Sequence, residues 1–405
     1  MNNKLIAEKA SKQSQMQNDL AWAMTLHLCL LAMKNMLIYS GDFLYSINDT
    51  LNSVMLLFLI LMYGWIAFKY SVWKRLPVFL CAVTVGLLLF VMITYLFDAE
   101  RFSAQYYYVN RNMRNFLVYC FPLFVSASML ENYDLLMKKL YKMSQPMFIV
   151  ATYTWICMIT YFAGRLGGNS YSMTFGNAVL LLGMILIFQY YETKKPLCLI
   201  EFFACVAYVI SFGSRGPLLC FAIAFVFVLF SSSKSSGFKF LIGVIFLSGI
   251  LMALVFYQQI LLALSDIFDS IGISSRVLRV MAMGDIFNDS GRSELIGSVL
   301  DALSKQPWGL GAFGGEKVAG LTHNLFVDIL ANFGYLFGTV YILWLLVSVA
   351  IEISKAKNNA LLMFSIIVFP RAMFNDSFWA SKELWIIMAM LISTSLIRKN
   401  RGCRE

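Results

Sequence analysis

Long apolar segments recur along the whole chain and limit the folds that it can adopt. They are about 16 to 25 residues long, which is enough for a helix to cross the hydrocarbon core of a bilayer. Hydrophobic residues make up 60% of the 405 residues and charged residues only 13%. Because so few charged residues cannot cover a soluble core, the sequence predicts an all-α polytopic membrane protein.

We count about twelve such segments, separated by short polar breaks. Their predicted starts lie near residues 19, 51, 77, 113, 146, 174, 196, 217, 238, 323, 359 and 383. This pattern leaves no soluble domain. Residues 1–405 are therefore predicted to form a single transmembrane domain, interrupted by one long break at residues 258–322.

Basic residues are distributed unevenly between the two alternating sets of breaks. Of the 32 Lys and Arg residues, 19 lie in one set of short loops and 7 in the other set. By the positive-inside rule the richer set is cytoplasmic, which places both termini in the cytoplasm and the long break outside. The net charge of +10 is thus a sign of orientation, and we expect no nucleic-acid partner.

The long external break is predicted to contain three amphipathic helices. Residues 258–268 and 274–287 carry the first two, with Ser274 or Ser275 capping the second. Residues 288–305 carry the third, with Asp289 or Ser290 as its cap. Its apolar stripe consists of Leu295, Ile296, Val299, Leu300 and Leu303, and Pro307 ends it.

A glycine-rich stretch, "GLGAFGGEKVAG", follows from Gly309 to Gly320. Its first glycines match the dinucleotide-binding pattern G-x-G-x-x-G, but that pattern needs a preceding strand and here follows a helix. Two interpretations remain. The stretch is a flexible turn, or its backbone lies close to a ligand, in which case Gly311 and Gly314 are candidate substrate-binding residues.

Cationic side chains are predicted at the external N-termini of three helices. Pro217 favours a helix start that leaves Arg215 just before it, Arg292 lies in the first turn of the third loop helix, and His323 with Asn324 starts the tenth span. Free amide groups at such termini attract anions. We predict that the three sites bind one external anion; the alternative is that each arginine binds lipid phosphate.

Asn324, Asp328 and Asn332 form a polar stripe with a spacing of four residues on the tenth span. A stripe of this kind faces protein or water rather than lipid. It either contributes to a site or only packs helices together.

Three other polar residues lie within spans. His27 is predicted to bond a neighbouring helix, and Lys34 and Glu201 to extend toward the membrane surfaces.

Several kinds of catalytic site have no signature in the external segments. We find no Asp-x-Asp or His-rich cluster, no serine nucleophile elbow and no Cys/His pair there. We therefore expect no metal and no cofactor. Catalysis would depend on arginine as a fixed cation and on histidine as a proton carrier.

Three stretches, "GSRGPLL", "GRSELIGSVLDALSKQPWGLGAFG" and "THNLFVDILANFGYLFG", occur in this order over the second half of the chain. Together with one large external loop before His323 and Asn324, they resemble the O-antigen polymerase (Wzy) and O-antigen ligase superfamily of bacterial surface-polysaccharide assembly. The first half of the chain is similar to that superfamily only in hydropathy.

The resemblance implies a GT-C-like membrane fold and metal-independent glycosyl transfer at the periplasmic face of the bacterial inner membrane. Its donor would be an undecaprenyl-diphosphate-linked oligosaccharide, and a chain-length-regulating membrane protein would be a partner. Arg215 and Arg292 look like the residues that bind the diphosphate leaving group, and His323 looks like a catalytic or diphosphate-contacting histidine.

The chain departs from that resemblance at Asn332, where many relatives carry Glu two residues before the glycine. Asp328, one turn earlier, is the substitute candidate for a catalytic carboxylate.

Three functions remain open. The first is a polymerase that joins repeat units for lipopolysaccharide biosynthesis, and the second is a ligase that passes polymer to lipid A-core. The third is a polysaccharide or lipid flippase, which would need discontinuous helices in corresponding positions of two halves.

Overall fold

The computed structural model describes residues 2–72, 77–98, 102–103, 106–162, 172–212, 214–232, 259, 261–267, 269–270, 278, 291–356, 358–372 and 377–402. All regular secondary structure in these residues is helical. Four of the described helices are long and apolar enough to cross a membrane: Ser11–Leu37, Asn48–Tyr70, Met173–Thr193 and Leu325–Lys355. The chain is thus a helical protein suited to a membrane, and the count of twelve spans stays a prediction.

The α-helices whose first and last residues are described are numbered in chain order. They are α1 (Asn2–Leu37), α2 (Asp42–Ser46), α3 (Asn48–Tyr70), α4 (Val78–Leu96), α5 (Tyr107–Asn115), α6 (Phe121–Met129), α7 (Tyr133–Cys157), α8 (Met173–Thr193), α9 (Pro196–Phe212), α10 (Arg215–Ser232), α11 (Arg292–Lys305), α12 (Gly314–Ala319), α13 (Leu325–Ala356), α14 (Asn359–Val368) and α15 (Lys382–Gly402). A helix covers or adjoins every predicted span start that falls on described residues; the span predicted near residue 238 lies outside them.

Two helix starts differ from the prediction because polar residues extend the helices beyond their apolar parts. α1 begins at Asn2 rather than near residue 19, and α7 begins at Tyr133 rather than near residue 146. The added residues include many good helix formers, such as Lys, Gln, Met and Leu. Hydropathy locates the apolar part of a helix, whereas the backbone hydrogen bonds continue past it.

Two segments of the predicted external loop fall on described residues. Residues 259 and 261–267 are helical, as predicted, and α11 confirms the third helix, with Val299 and Leu303 buried. The residue before α11 is Gly291, with φ 81°. Asp289 and Ser290, the predicted caps, lie outside the described residues, so that prediction is not tested. Glycine enters a helix from this left-handed conformation without a steric cost. Residues 274–287 lie outside the described residues except 278.

The chain divides into two compact units. One consists of residues 1–27, 54–139 and 289–405, and the other of residues 28–53 and 140–288. We call them unit 1 and unit 2. This division does not test the prediction of a single transmembrane domain, which stays a prediction.

In unit 2, polar side chains join α7 to α9 in a regular ladder. Gln145 donates to both carboxylate oxygens of Glu201 (2.8 and 2.9 Å), the Thr152 and Tyr208 hydroxyls bond at 2.8 Å, and Trp155 donates to Ser211 at 3.2 Å. All three pairs are 56 residues apart, so α7 and α9 run parallel. Glu201 therefore pairs inside the helix bundle, and the prediction that it extends toward a membrane surface is wrong.

Two further polar residues also pair with neighbouring helices. In unit 2, Lys34 donates to Asn52 at 2.8 Å. In unit 1, His27 is fully buried and its Nδ1 lies 3.0 Å from the Tyr63 hydroxyl on α3, which confirms the prediction that it bonds another helix.

In unit 1, α13 is discontinuous at Gly334, where the backbone has φ 80° and ψ 172°. The segment after α11 fills this break. The amide of Tyr335 donates to the carbonyl of Pro307 at 3.0 Å, and the amide of Leu310 donates to the carbonyl of Ala331 at 2.7 Å. Because both groups find backbone partners, the helix can change direction without burying unpaired polar groups.

The break separates two halves of α13 with different surroundings. Before it, Asp328 and Ile329 are fully buried and Asn332 is 2% exposed. After it, nine large apolar side chains between residues 335 and 351 are exposed by 39–63%; Tyr341 and Ile342 are partly exposed, and Leu345 and Val349 are buried. About 20 helical residues span one hydrocarbon core, so the half from residue 335 onward is suited to cross the membrane.

We predict that Gly334→Ala destabilises the protein. An added Cβ would lie 2.4 Å from the carbonyl carbon of Trp308, and the φ of 80° already disfavours alanine. Backbone strain alone should cost on the order of 1–3 kcal/mol and lower the unfolding temperature of the detergent-solubilised protein.

Gly64→Ala on α3 is the matched control. No atom lies within 4 Å of its added Cβ, and alanine favours a helix over glycine by about 1 kcal/mol, so the unfolding temperature should stay equal or rise. Equal unfolding temperatures for the two variants would contradict the proposed role of the Gly334 break.

Candidate functional site

The glycine-rich stretch packs its backbone against neighbouring helices of unit 1. A Cβ on Gly309 would lie 2.7 Å from the amide of Gly334, and one on Gly314 would lie 2.8 Å from the carbonyl oxygen of Ala331. Gly311 has φ 79°, and a Cβ there would lie 3.2 Å from Thr94 of α4. The glycines therefore allow close packing of this stretch against the protein. Contacts of Gly311 and Gly314 with a substrate stay a prediction.

Part of this stretch is a short helix, α12, which sequence analysis treated as a turn. An ion pair of 3.1 Å joins Lys317 of α12 to Asp98, just after α4. On α12, Gly315 packs against α13, because an added Cβ would lie 2.6 Å from Asp328 Oδ1. The same Cβ would lie 2.8 Å from the methyl group of Thr322, the residue before His323. α12 thus lies directly beside the start of the tenth predicted span.

His323 has a left-handed backbone conformation, with φ 52°. This conformation is uncommon for residues other than glycine, although asparagine, aspartate and histidine adopt it more often than the rest, and neighbouring contacts help to hold it. The neighbours of His323 are well held. The Thr322 hydroxyl bonds to the carbonyl of Asn324 at 3.3 Å, and Asn324 is the cap of α13. An uncommon backbone at a histidine is a feature of functional sites.

The first four amide groups of α13, those of residues 325–328, all have protein partners. Asn324 accepts three of these hydrogen bonds, two at Oδ1 (3.0 and 3.1 Å) and one at its backbone oxygen (3.0 Å). The carbonyl of Ala372 accepts the fourth, from Leu325, at 2.6 Å. The prediction that free amides at this N-terminus bind an anion is therefore wrong. An anion beside His323 would have to be bound by side chains.

Arg292 is the first residue of α11, as predicted, and it is only partly exposed. Burial lowers the pKa of the His323 imidazole, and the positive charge of Arg292 lowers it further. This effect places the guanidinium of Arg292 within electrostatic range of His323. We infer from this effect that two of the three predicted cationic residues lie near each other, and a lowered pKa favours the neutral imidazole at neutral pH.

Arg215 belongs to unit 2 and is the first residue of α10. The helix starts two residues earlier than the position of Pro217 indicated. Its convergence with Arg292 and His323 stays a prediction.

The polar stripe of α13 faces protein, as predicted. Asn332 accepts hydrogen bonds at Oδ1 from Trp379 (2.7 Å) and from the amide of Gly314 (3.3 Å). Its Nδ2 donates to the backbone oxygen of Asp328 at 2.6 Å. Asn332 therefore ties α12 and α13 to the segment before α15, which gives this position a structural role.

Asp328 is fully buried, and protein groups surround both carboxyl oxygens. Oδ2 accepts from the amide of Phe378 (2.7 Å) and lies 3.1 Å from the hydroxyl of Ser377, and Oδ1 accepts from Asn332 (3.3 Å). A general base must reach the proton that it removes. The structure thus places Asp328 in a buried network rather than on an accessible surface.

Glu316, which was not among the predicted site residues, belongs to the same network. Its Oε1 lies 2.6 Å from the Ser377 hydroxyl and accepts from Asn112 of α5 at 2.8 Å. Burial raises the pKa of Glu316, while the hydrogen bonds from Ser377 and Asn112 oppose the rise. A lone glutamate in a glycine-rich stretch is typical of an exposed loop. The adjacent glycine, Gly315, was the one feature of the sequence that is compatible with close packing of this segment.

Comparisons of the chain with protein-family models, curated proteins and solved structures gave no match.

The protonation of His323 provides a direct measurement of this site. The chain contains two histidines, so a protein labelled with ¹⁵N-histidine gives two imidazole signals, and His323→Asn assigns one of them. Asn is a suitable replacement because it tolerates the left-handed backbone. We expect the His323 signal to titrate below the ordinary value of 6.5, and to titrate higher in Arg292→Gln.

The same shift has a consequence for stability. Below pH 6.5 the unfolded chain binds a proton at His323 more readily than the folded chain does. The contribution of neutral His323 to the free energy of unfolding is therefore complete above pH 6.5 and is lost as the pH falls. The loss should be smaller in Arg292→Gln. A titration at or above 6.5 that Arg292→Gln leaves unchanged would show that the two side chains do not interact.

Proposed function

We propose that the chain is a membrane glycosyltransferase that polymerises undecaprenyl-diphosphate-linked oligosaccharide repeat units into O-antigen or a similar surface polysaccharide, at the periplasmic face of the bacterial inner membrane. The finding that supports this most is the effect of the Arg292 charge on the pKa of the His323 imidazole, which links two cationic residues at helix ends. The order of the three sequence stretches that resemble the O-antigen polymerases supports it independently.

The reaction breaks the bond between the anomeric carbon of the donor sugar and the diphosphate oxygen. A hydroxyl of the acceptor sugar forms the new bond and loses its proton. The departing diphosphate gains negative charge, which a guanidinium can meet with paired, charge-assisted hydrogen bonds. Arg292 is the residue that we assign to this role, with Arg215 as its predicted second cation.

His323 is the residue that we assign as the general base. A lowered pKa keeps the imidazole neutral, and a neutral imidazole accepts a proton from the acceptor hydroxyl. A diphosphate bound at Arg292 would raise the pKa of His323 again and strengthen it as a base. Asp328 lies fully buried in the network described above, so we do not assign it to this step.

The test is polymerisation by the purified protein. Supplied with undecaprenyl-diphosphate-linked repeat units alone, the full-length protein in lipid nanodiscs should produce a ladder of lipid-linked oligomers. No chain growth until a lipid A-core acceptor is added would indicate the ligase. Movement of lipid-linked units across a vesicle membrane without chain growth would indicate the flippase.

The described part of the chain contains one feature that a flippase shares, the break in α13. Backbone groups of residues 307–310 satisfy it, and no ion or substrate is needed there. This observation does not favour transport.

We predict that Arg292→Ala, Arg215→Ala and His323→Asn each reduce the rate of polymerisation more than tenfold, a loss of about 2–4 kcal/mol of transition-state stabilisation. Arg292→Lys should fall between, because it keeps the charge but loses the paired hydrogen bonds. Initial rates at saturating donor are the measurement.

Lys305→Ala is the matched control. It removes one positive charge from the exposed C-terminal end of the helix that Arg292 begins. We expect a rate close to that of the unaltered protein. Equal losses in Lys305→Ala and Arg292→Ala would mean that net charge, rather than the site, determines the rate.

A further inference from the structure

Two buried carboxyl groups in unit 1 meet at one hydroxyl group. Ser377 Oγ lies 2.6 Å from Glu316 Oε1 and 3.1 Å from Asp328 Oδ2. Glu316 is 2% exposed and Asp328 is fully buried. The three side chains come from α12, from the segment before α15 and from α13, so this cluster joins three separate parts of the unit.

The hydrogen atoms in this cluster can be counted. The hydroxyl of Ser377 carries one hydrogen, which it can donate to only one of the two carboxyl groups. The contact with the other carboxyl group is a hydrogen bond only if that carboxyl group carries a proton and donates it to Ser377 Oγ. Two full hydrogen bonds at Ser377 Oγ therefore place one additional proton on Glu316 or Asp328; one hydrogen shared unequally by the two carboxyl groups is the alternative.

Charge leads to the same requirement. The remaining partners of the two carboxyl groups are neutral donors: Asn112 for Glu316, and Asn332 with the amide of Phe378 for Asp328. Among the described residues no Lys, Arg or His forms an ion pair with either carboxyl group. Two buried negative charges without a cation are strongly unfavourable, so such a pair retains a proton.

The contacts place this proton between the two groups. A hydroxyl that donates to an ionised oxygen forms a short bond of about 2.5–2.7 Å, and the 2.6 Å contact of Ser377 with Glu316 has this length. The amide of Phe378 donates to Asp328 Oδ2 at 2.7 Å, and Glu316 Oε2 is buried with no hydrogen-bond partner among the described residues, which favours a negative charge on Asp328. The two carboxyl groups therefore share one proton.

This cluster is adjacent to His323 along two routes. Gly315, next to Glu316, packs against both Asp328 and Thr322, the residue before His323. Asp328 itself lies in the first turn of α13, whose cap is Asn324, the residue after His323. Both neighbours of the left-handed His323 are thus held by groups that the cluster positions.

We infer that Asp328 and Glu316 hold one proton between them, and that this pair acts as a positioning device for His323. The inference rests on the proposed function only for the catalytic role of His323. Asp328→Asn should preserve the hydrogen bonds of the cluster, since its amide donates to Ser377 as a protonated carboxyl group does. Asp328→Ala should lose them, because it leaves Ser377 and the amide of Phe378 without this partner.

The proton is tested by infrared spectroscopy of the full-length protein in nanodiscs at neutral pH. The carbonyl absorption of a protonated carboxyl group is distinct from that of a carboxylate. The difference spectrum between the unaltered protein and the double variant Asp328→Asn, Glu316→Gln should contain this band, because the double variant lacks both carboxyl groups. Absence of the band from this spectrum would overturn the inference.

The positioning role is tested by the ¹⁵N-histidine signal of His323. Asp328→Ala should change its chemical shift and move its titration toward 6.5, the ordinary value, and Asp328→Asn should restore both. Asp301→Asn, at an exposed acid of α11, is the control and should change neither. An unchanged His323 signal in a folded Asp328→Ala protein would rule out positioning.

Polymerisation rates give the third measurement. Asp328→Ala should lose at least tenfold in rate, and Asp328→Asn should recover most of it. If the unaltered protein polymerises nothing, the proposed function fails, but the infrared and histidine measurements still decide the inference. If Asp328→Ala does not fold, the infrared comparison with the double variant still decides whether the pair holds a proton.

Discussion

The backbone hydrogen bonds at the break in α13 are the interaction on which the rest of unit 1 depends. Pro307 and Leu310 pair with Tyr335 and Ala331, so the chain after α11 occupies the place of a missing helical turn. An open break in an apolar environment would leave polar groups unpaired at a cost of several kcal/mol each. The glycines on both sides allow the approach, since a Cβ at Gly309 or Gly334 would overlap the opposite backbone.

This arrangement determines where the candidate site lies. The break separates a protein-covered first part of α13 from an apolar part that is suited to lipid, and α12 packs on the covered part. His323 precedes that covered part, in a left-handed conformation that its neighbours hold. Side chains are the only groups left there to bind an anion, because Asn324 and Ala372 occupy the amides of α13. Arg292 is therefore more important to the site than the helix N-terminus.

Several polar residues inside the helices of both units pair with another protein group. Examples are the ladder between α7 and α9 and the contacts of Asn332. Hydropathy predicted their positions within spans but assigned Glu201 to a membrane surface, because the partner Gln145 is far away in sequence. The buried acid pair was missed for the same reason. Ser377 lies 49 and 61 residues from its two partners.

Local patterns were enough to predict the helical membrane character, the positions of most helices, the amphipathic α11 and the inward-facing stripe on α13. These features depend on residues within one or two helical turns. The packing of the glycines against protein and the contact of Glu316 and Asp328 with one serine were known only from the folded structure. Each of these requires contact between segments distant in the chain, and such contacts depend on how whole helices pack.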